Sequence, residues 1–261
     1  MRRHGDRHDL RDLTVAIQFK GHYDDSYTDG DNSGVLPTDT MKNTVYALAA
    51  DLPDNGPEAL GLALARRFIE RNPRLVRARI DLTEHLWARI PRGEREHGHA
   101  FIRTGPETRT ATVQANRRKT IVGAGIADLL VLKSAHSAFD NFLRDELTTL
   151  PDTRDRILAT SLTATWSYRT PDIDAGPAWH AVRRTLLEVF AEHHSESVQH
   201  TLHAMGQAVL DTLEEVTSIR LVMPNKHHLP FDLSRLGLEN RNEVFVPIDE
   251  PYGLIEATLV R

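Results

Sequence analysis

The chain has 261 residues, 40% of them apolar and 26% charged, a balance that supplies a sizeable folded core and excludes a disordered chain. Its 32 basic and 37 acidic residues leave a formal charge of -5 and are interleaved, so no basic face is offered to nucleic acid. Cysteine is absent, which removes disulfides, thiolate nucleophiles, iron-sulfur clusters and thiolate zinc sites, and favours an intracellular setting.

Residues 10 to 22 alternate, with Val15, Ile17 and Phe19 on one face and Thr14, Gln18 and Lys20 on the other, which predicts a half-buried strand. A loop rich in Asp, Gly and Ser follows. Thr38 or Asp39 can cap a helix that carries Met41, Val45 and Leu48. Gly56-Pro57 opens a second helix, with Leu60, Leu64 and Phe68 on one face, and Asn72-Pro73 stops it. The clearest strand is next: Val76, Ala78, Ile80, Leu82, Leu86, Ala88 and Ile90 point one way and Arg77, Arg79, Asp81, Thr83, His85 and Arg89 the other, with Glu84 as the only discord. Residues 99 to 118 predict a further strand region bent around Gly105-Pro106.

The second half predicts a strand from Ile126 to Lys133, a long excursion to Leu158, and a strand on which Leu162, Ala164, Trp166 and Tyr168 alternate. Two helices follow, one over 177 to 193 and one carrying Val198, Leu202, Met205, Val209 and Leu213. Strands near 217 to 224 and 253 to 260 complete the pattern, with Glu243 to Ile248 a short apolar segment between them. This half is strand-strand-helix-helix-strand-strand, whereas the first is strand-helix-helix-strand-strand, one strand short.

No window holds the roughly 18 apolar residues of a membrane span, and Met1-Arg2-Arg3-His4-Gly5-Asp6 lacks the apolar core of a signal peptide. The C-terminal Thr258-Leu259-Val260-Arg261 is not a peroxisomal Ser-Lys-Leu address. A cytoplasmic protein is expected, in contact with neither membrane nor nucleic acid. The fourteen histidines include the pairs His97/His99, His193/His194 and His227/His228, but no His-Glu-x-x-His pattern accompanies them, so no metal is expected. Gly123-Ala124-Gly125 lacks a phosphate-loop continuation and predicts a turn between strands.

Six segments run in order along the chain: Thr38-Asp39-Thr40-Met41-Lys42-Asn43-Thr44, Val131-Leu132-Lys133-Ser134, Phe142-Leu143-Arg144-Asp145-Glu146, Asp155-Arg156-Ile157-Leu158, Ser197-Val198-Gln199, and Leu221-Val222-Met223-Pro224-Asn225-Lys226-His227-His228. From about Arg7 to Val260 they resemble the uricases, the urate oxidases that work without metal or organic cofactor. The resemblance implies an α+β tunnelling fold (T-fold) of two tandem halves, 1–120 and 121–261. Each half is an antiparallel sheet with two helices on one face, the first half lacking its first strand. Subunits in that fold join to close a barrel, which removes open sheet edges and implies a homo-oligomer, a tetramer, with active sites at its interfaces.

The resemblance also assigns roles. Arg156 aligns with the arginine that clamps the edge of urate through a bidentate fork, Gln199 with the glutamine whose amide pairs with the opposite edge, and Phe139 with the phenylalanine that stacks on the ring. The backbone N–H groups of Asp39 and Val198 complete the contacts. Thr38 matches the hydroxyl of a proton relay, His227 the histidine that continues it, and Asn225 the amide that holds O2 or water above the ring. Without the family, Arg156 reads as a surface ion pair with Asp152 or Asp155, Gln199 as a solvated helix-start residue and Phe139 as core.

In the family a lysine on the first strand, within Tyr-Gly-Lys, completes the relay. Here Arg7-His8-Asp9-Leu10-Arg11-Asp12-Leu13 resembles the second strand, so the first strand and its lysine are expected to be missing. Aligning His4-Gly5-Asp6 with Tyr-Gly-Lys puts a carboxylate where the amine belongs. Arginine stays protonated, which leaves His8 as the one stand-in. Residues 12 to 20 then become a sheet edge. Two readings stand: an oxidase of urate or a related purine with O2, or a uricase-derived paralogue that binds or scaffolds without catalysis. A variant of the first is oxidation of a different urate-like heteroaromatic anion.

Overall fold

A computed structural model of the chain describes residues 1–51 and 55–261. The chain starts with a small hairpin, β1 (Arg2–His4) and β2 (Arg7–Asp9), that stands apart from the main sheet. The first half continues with β3 (Leu13–Gly21), a short α1 (Asp24–Thr28), α2 (Thr38–Asp51), α3 (Gly56–Arg71), β4 (Leu75–Arg92) and β5 (Arg95–Ala115). The second half holds β6 (Thr120–Lys133), β7 (Leu158–Tyr168), α4 (Ala175–Glu192), α5 (Val198–Thr212), β8 (Val216–Pro224), β9 (His227–Pro230), β10 (Phe245–Ile248) and β11 (Leu254–Val260).

Seven strands form one antiparallel sheet in the order β11-β8-β7-β6-β5-β4-β3, and β9 pairs with β10 beside it. The order follows the chain because each long strand returns against its predecessor: Ile17 faces Ile80, Ile80 faces Val113 and Val113 faces Val122. Alternation then sends Ile80, Leu82, Val113, Val122, Leu162, Ala164, Ile219 and Leu221 to one face, where they meet Leu64 and Phe68 of α3, Val182 and Leu186 of α4, and Leu202, Met205 and Val209 of α5. The opposite face carries Arg79, Thr110, Thr112, Gln114, Thr165, Ser167 and Arg220, with Arg79 paired to Asp81 at 2.7 Å and Arg220 to Glu256 at 2.6 Å. This is the α+β architecture of the tunnelling fold. No helix among the described residues is long and apolar enough to cross a membrane.

Several details differ from the sequence-based reading. Thr38 lies inside α2, not before it, because the Met41 N–H already bonds to the Pro37 carbonyl at 3.1 Å. Gly123 and Gly125 sit within β6 and make no turn; the turn is at Asn116, whose N–H bonds to the Lys119 carbonyl at 2.9 Å. Small residues are needed there because a Cβ on Gly123 would meet the Trp166 carbonyl oxygen at 2.8 Å, and one on Gly125 the Ala164 oxygen at 2.6 Å. The discord at Glu84 resolves as a buried carboxylate on the core face, bonded at 2.8 Å by Arg11 from the segment that leads into β3.

One buried ion pair joins elements from both parts of the chain. Arg109 of β5 donates to Glu58 of α3 at 2.6 Å and to the carbonyl of Ala175, at the start of α4, at 3.2 Å. Its guanidinium lies 5.2 Å from the ring of Trp179, and the Trp179 N–H bonds to the Gly125 carbonyl of β6 at 2.9 Å. Burial pushes the Glu58 carboxyl up and the adjacent Arg109 charge pulls it back; burial and the Glu58 charge both push the Tyr168 hydroxyl up. Gly56, at φ +86, brings the start of α3 so close that a Cβ would meet an Arg109 nitrogen at 2.8 Å.

Removing one member of such a pair strands the other's charge in the core. Arg109→Met is expected to lower the unfolding free energy by about 3–5 kcal/mol, and the double change Glu58→Leu/Arg109→Met to regain most of it. Urea denaturation of the three proteins reads this directly; equal losses in the single and double variants would refute it.

Candidate active site

The excursion between β6 and β7, the turn from α4 to α5, and the β8–β9 junction converge at one end of the sheet. Their backbones are bonded to one another: the Ser195 N–H to the His136 carbonyl at 2.9 Å, Ala138 to Ser195 at 2.6 Å, Arg156 to Ser137 at 2.9 Å, and Phe139 and Thr153 reciprocally at 2.7 and 3.0 Å. The third element joins through Lys226, whose N–H bonds to the Ala159 carbonyl of β7 at 2.9 Å. Ser197 caps α5, its side chain accepting from the His200 N–H at 3.1 Å, and the first two residues of that helix, Val198 and Gln199, line the cavity.

The cavity is about 310 Å³, within the range that holds a small molecule. Its lining brings together six of the eight residues singled out in the sequence: Phe139, Arg156, Val198, Gln199, Asn225 and His227. Thr38 and Asp39 are not among its walls. They lie exposed at the start of α2, where Asp39 accepts from the Asn43 amide at 2.9 Å and sits 3.4 Å from Lys42. Reading the chain without coordinates missed Leu150, Ile157, Phe245 and Ile255, apolar wall residues whose local pattern does not differ from that of any other loop or strand.

Arg156 decides the chemistry of this cavity. Its guanidinium is half-buried and lies 5.5 Å from the Phe139 ring; among the described residues it has no carboxylate partner, and its Nε has no hydrogen-bond partner. Asp152, the partner that a surface reading would have given it, is instead bound to Arg144 at 2.9 Å. Burial lowers the Arg156 pKa, and its charge, together with burial as the larger cause, lowers that of His227. An unpaired buried cation costs several kcal/mol unless an anion completes it. The cavity thus offers the Arg156 cation, an aromatic face, the start of a helix and three side-chain amides, those of Gln199, Asn225 and Asn242, with the Asp155 carboxylate also on its wall, a set that can take a flat polar anion beside Arg156.

His97 and His99 stack edge-on at 4.5 Å, and His193 and His200 at 4.3 Å, both outside the cavity. Among the described residues no group of three His, Asp or Glu is placed to hold a metal ion. His8 lies in the N-terminal hairpin, 5.6 Å from the ring of His99.

The family model for uricase matches residues 7–114 and 122–256. The chain belongs to the uricase family. It is 44% identical to a uricase of Arthrobacter globiformis over 98% of this chain and 83% of that one, and 37% identical to a uricase of Aspergillus flavus over 96% and 87%. The crystal structure of the Arthrobacter globiformis uricase superposes with a TM-score of 0.94 at 43% identity, covering 100% of this chain and 89% of that one. A uricase from Bacillus fastidious superposes at 0.86 with 26% identity over 95% and 81%. The fold is therefore that of the family from end to end of the sheet.

Because both causes act in the same direction, the neutral imidazole of His227 persists below the ordinary midpoint of 6.5. An NMR titration is expected to place its midpoint below that value, and Arg156→Gln to move it upward without restoring it fully, since burial remains. A midpoint above 6.5 in the unliganded protein would contradict this account.

Proposed function

We propose that the chain is a cofactor-independent urate oxidase. The observation that carries the reading is the Arg156 guanidinium over the Phe139 ring, without a carboxylate partner among the described residues, in a cavity also lined by Gln199 at the start of α5. Urate is a planar anion with carbonyl and N–H groups on both edges. Arg156 would take one edge through a bidentate fork, the Gln199 amide and the Val198 N–H the other, and Phe139 the face. Urate, O2 and water give 5-hydroxyisourate and H2O2: two electrons leave the purine, a hydroperoxide forms at the ring and water replaces it.

This chemistry needs a more electron-rich urate than the monoanion, so a second proton must leave. A hydroxyl relays a proton only when a neighbouring group accepts it. Thr38 is assigned the hydroxyl, His227 in its neutral form the onward acceptor, and Asn225 the amide that holds O2 or water above the ring. Thr38 and Asp39 stand apart from the cavity within one chain, so they are assigned to the cavity of a second copy in a homotetramer, each site being shared between two subunits.

Purified protein is expected to consume O2 and release H2O2 with urate. Arg156→Gln should lower kcat/KM by roughly ten- to a hundredfold, the worth of a charge-assisted pair of bonds. Urate binding with no O2 uptake would replace catalysis by a binding role for this chain. Mixing Thr38→Ala and Arg156→Gln subunits, each impaired alone, and refolding them together should raise the activity above that of either variant, because some interfaces then pair an intact Thr38 with an intact Arg156. No recovery in co-assembled oligomers would exclude a shared site.

A further inference from the structure

We infer that Phe142 and Arg144 are positioning residues that fix the plane of the Phe139 ring, and through it the plane of any substrate laid on that ring. The oxidase reading enters only in naming that substrate. The loop from Asp140 to Asp152 is closed at its base by the two hydrogen bonds between Phe139 and Thr153, at 2.7 and 3.0 Å. Inside it the Phe142 ring stacks on Phe139 with centroids 5.0 Å apart and planes 10° from parallel. The Arg144 guanidinium lies 4.5 Å from the Phe142 centroid, donates to the Leu150 carbonyl at 3.2 Å and pairs with Asp152 at 2.9 Å. Asp152 in turn accepts from the Asn141 N–H at 3.3 Å.

Phe139 and Leu150 line the cavity, whereas Phe142 and Arg144 do not, so the stack backs the ring from the side away from the ligand. The loop has no apolar core of its own to order it: Leu143 is 96% exposed and Leu147 82%. Its tip is closed by hydrogen bonds between Asp145 and Thr148, and the rest is ordered by the Arg144 guanidinium on Phe142 and Phe142 on Phe139, with Arg144 also tying down the Leu150 lip of the cavity. Lysine could not serve in place of Arg144, since a point cation cannot cover a ring and hold a carbonyl and a carboxylate in one plane. A ring held at the correct tilt before binding spares the ligand the cost of ordering it.

The test compares Phe142→Leu, Phe142→Tyr and Arg144→Lys with the unaltered protein in urate oxidation, with thermal unfolding measured alongside. Phe142→Leu should raise KM by up to about tenfold while kcat changes less than about twofold, the pattern of lost ground-state binding. Phe142→Tyr should restore KM, and Arg144→Lys, whose side chain is half exposed and tolerant of change, should raise KM in the same direction as Phe142→Leu. Folded Phe142→Leu and Arg144→Lys proteins with unaltered KM would overturn the inference. Ligand-free crystal structures separate this outcome from failure of the oxidase reading: if Phe139 keeps its plane without Phe142, the positioning role is wrong whatever the protein oxidises. If the ring tilts, the role stands even should urate prove not to be the substrate.

Discussion

The site depends on a segment of four residues, His136 to Phe139, that is hydrogen-bonded along both sides. On one side it pairs with the turn at Ser195, on the other with Thr153 and Arg156, and Ser137 and Ser195 are fully buried where the three strands of chain meet. Buried backbone groups must find partners, and here they find them in one another. An excursion as long as that between β6 and β7 would otherwise lie loose on the surface. Because it is bonded at both edges, the positions of Phe139 and Arg156 are set together, and the turn at Ser195 ties the segment to the residues that lead into α5 and Gln199.

Two buried arginines show how the fold separates stability from function. Arg109 is nearly inaccessible, but Glu58, the Ala175 carbonyl and the Trp179 face occupy its surroundings, and it ties α3 to α4 across the sheet. Arg156 is less deeply buried and lacks a carboxylate partner among the described residues. The same side chain thus closes the core in one place and leaves a demand for negative charge in the other. Asp152 could have met that demand, but Arg144 holds it on the far side of the aromatic stack. Asp155, the other nearby anion, lines the same cavity, and among the described residues no ion pair joins it to Arg156.

Much of the fold was legible in the chain. Alternation located β4 and β7 to within a few residues, since each buries one face more deeply than the other, whereas β6 begins at Thr120, well before the expected start at Ile126; Gly56-Pro57 and Asn72-Pro73 bracket α3. Glu84 broke the pattern because a burial pattern cannot reveal a partner, here Arg11, that is distant in sequence. The glycines of β6 misled for a related reason: they serve the close approach of β7, and nothing local distinguishes that from a turn. For the site, ordered family segments pointed to Phe139, Arg156, Val198, Gln199, Asn225 and His227, and the cavity gathers them. The apolar walls were illegible because Leu150, Ile157, Phe245 and Ile255 become neighbours only after three separate excursions have been stitched together.

What one copy of the chain leaves unsatisfied converges on a single remedy. The outer edges of β3 and β11 expose backbone donors and acceptors, as the ends of an open sheet must. Leu229, which lines the cavity, and Phe231, Leu236, Leu238, Val244 and Val246 from the segment after it are between 41% and 67% exposed. The first turn of α2 leaves its N–H groups unbonded within the helix, and Thr38 and Asp39 project there without a cavity of their own. Each deficit alone is ordinary for a surface. Together they are the surfaces through which the proposed homo-oligomer would be built: a sheet edge, an apolar segment and the start of a helix. Under that proposal the contact that covers an open edge of the sheet would also carry Thr38 to a cavity, so that closing the fold and completing the site would be one event.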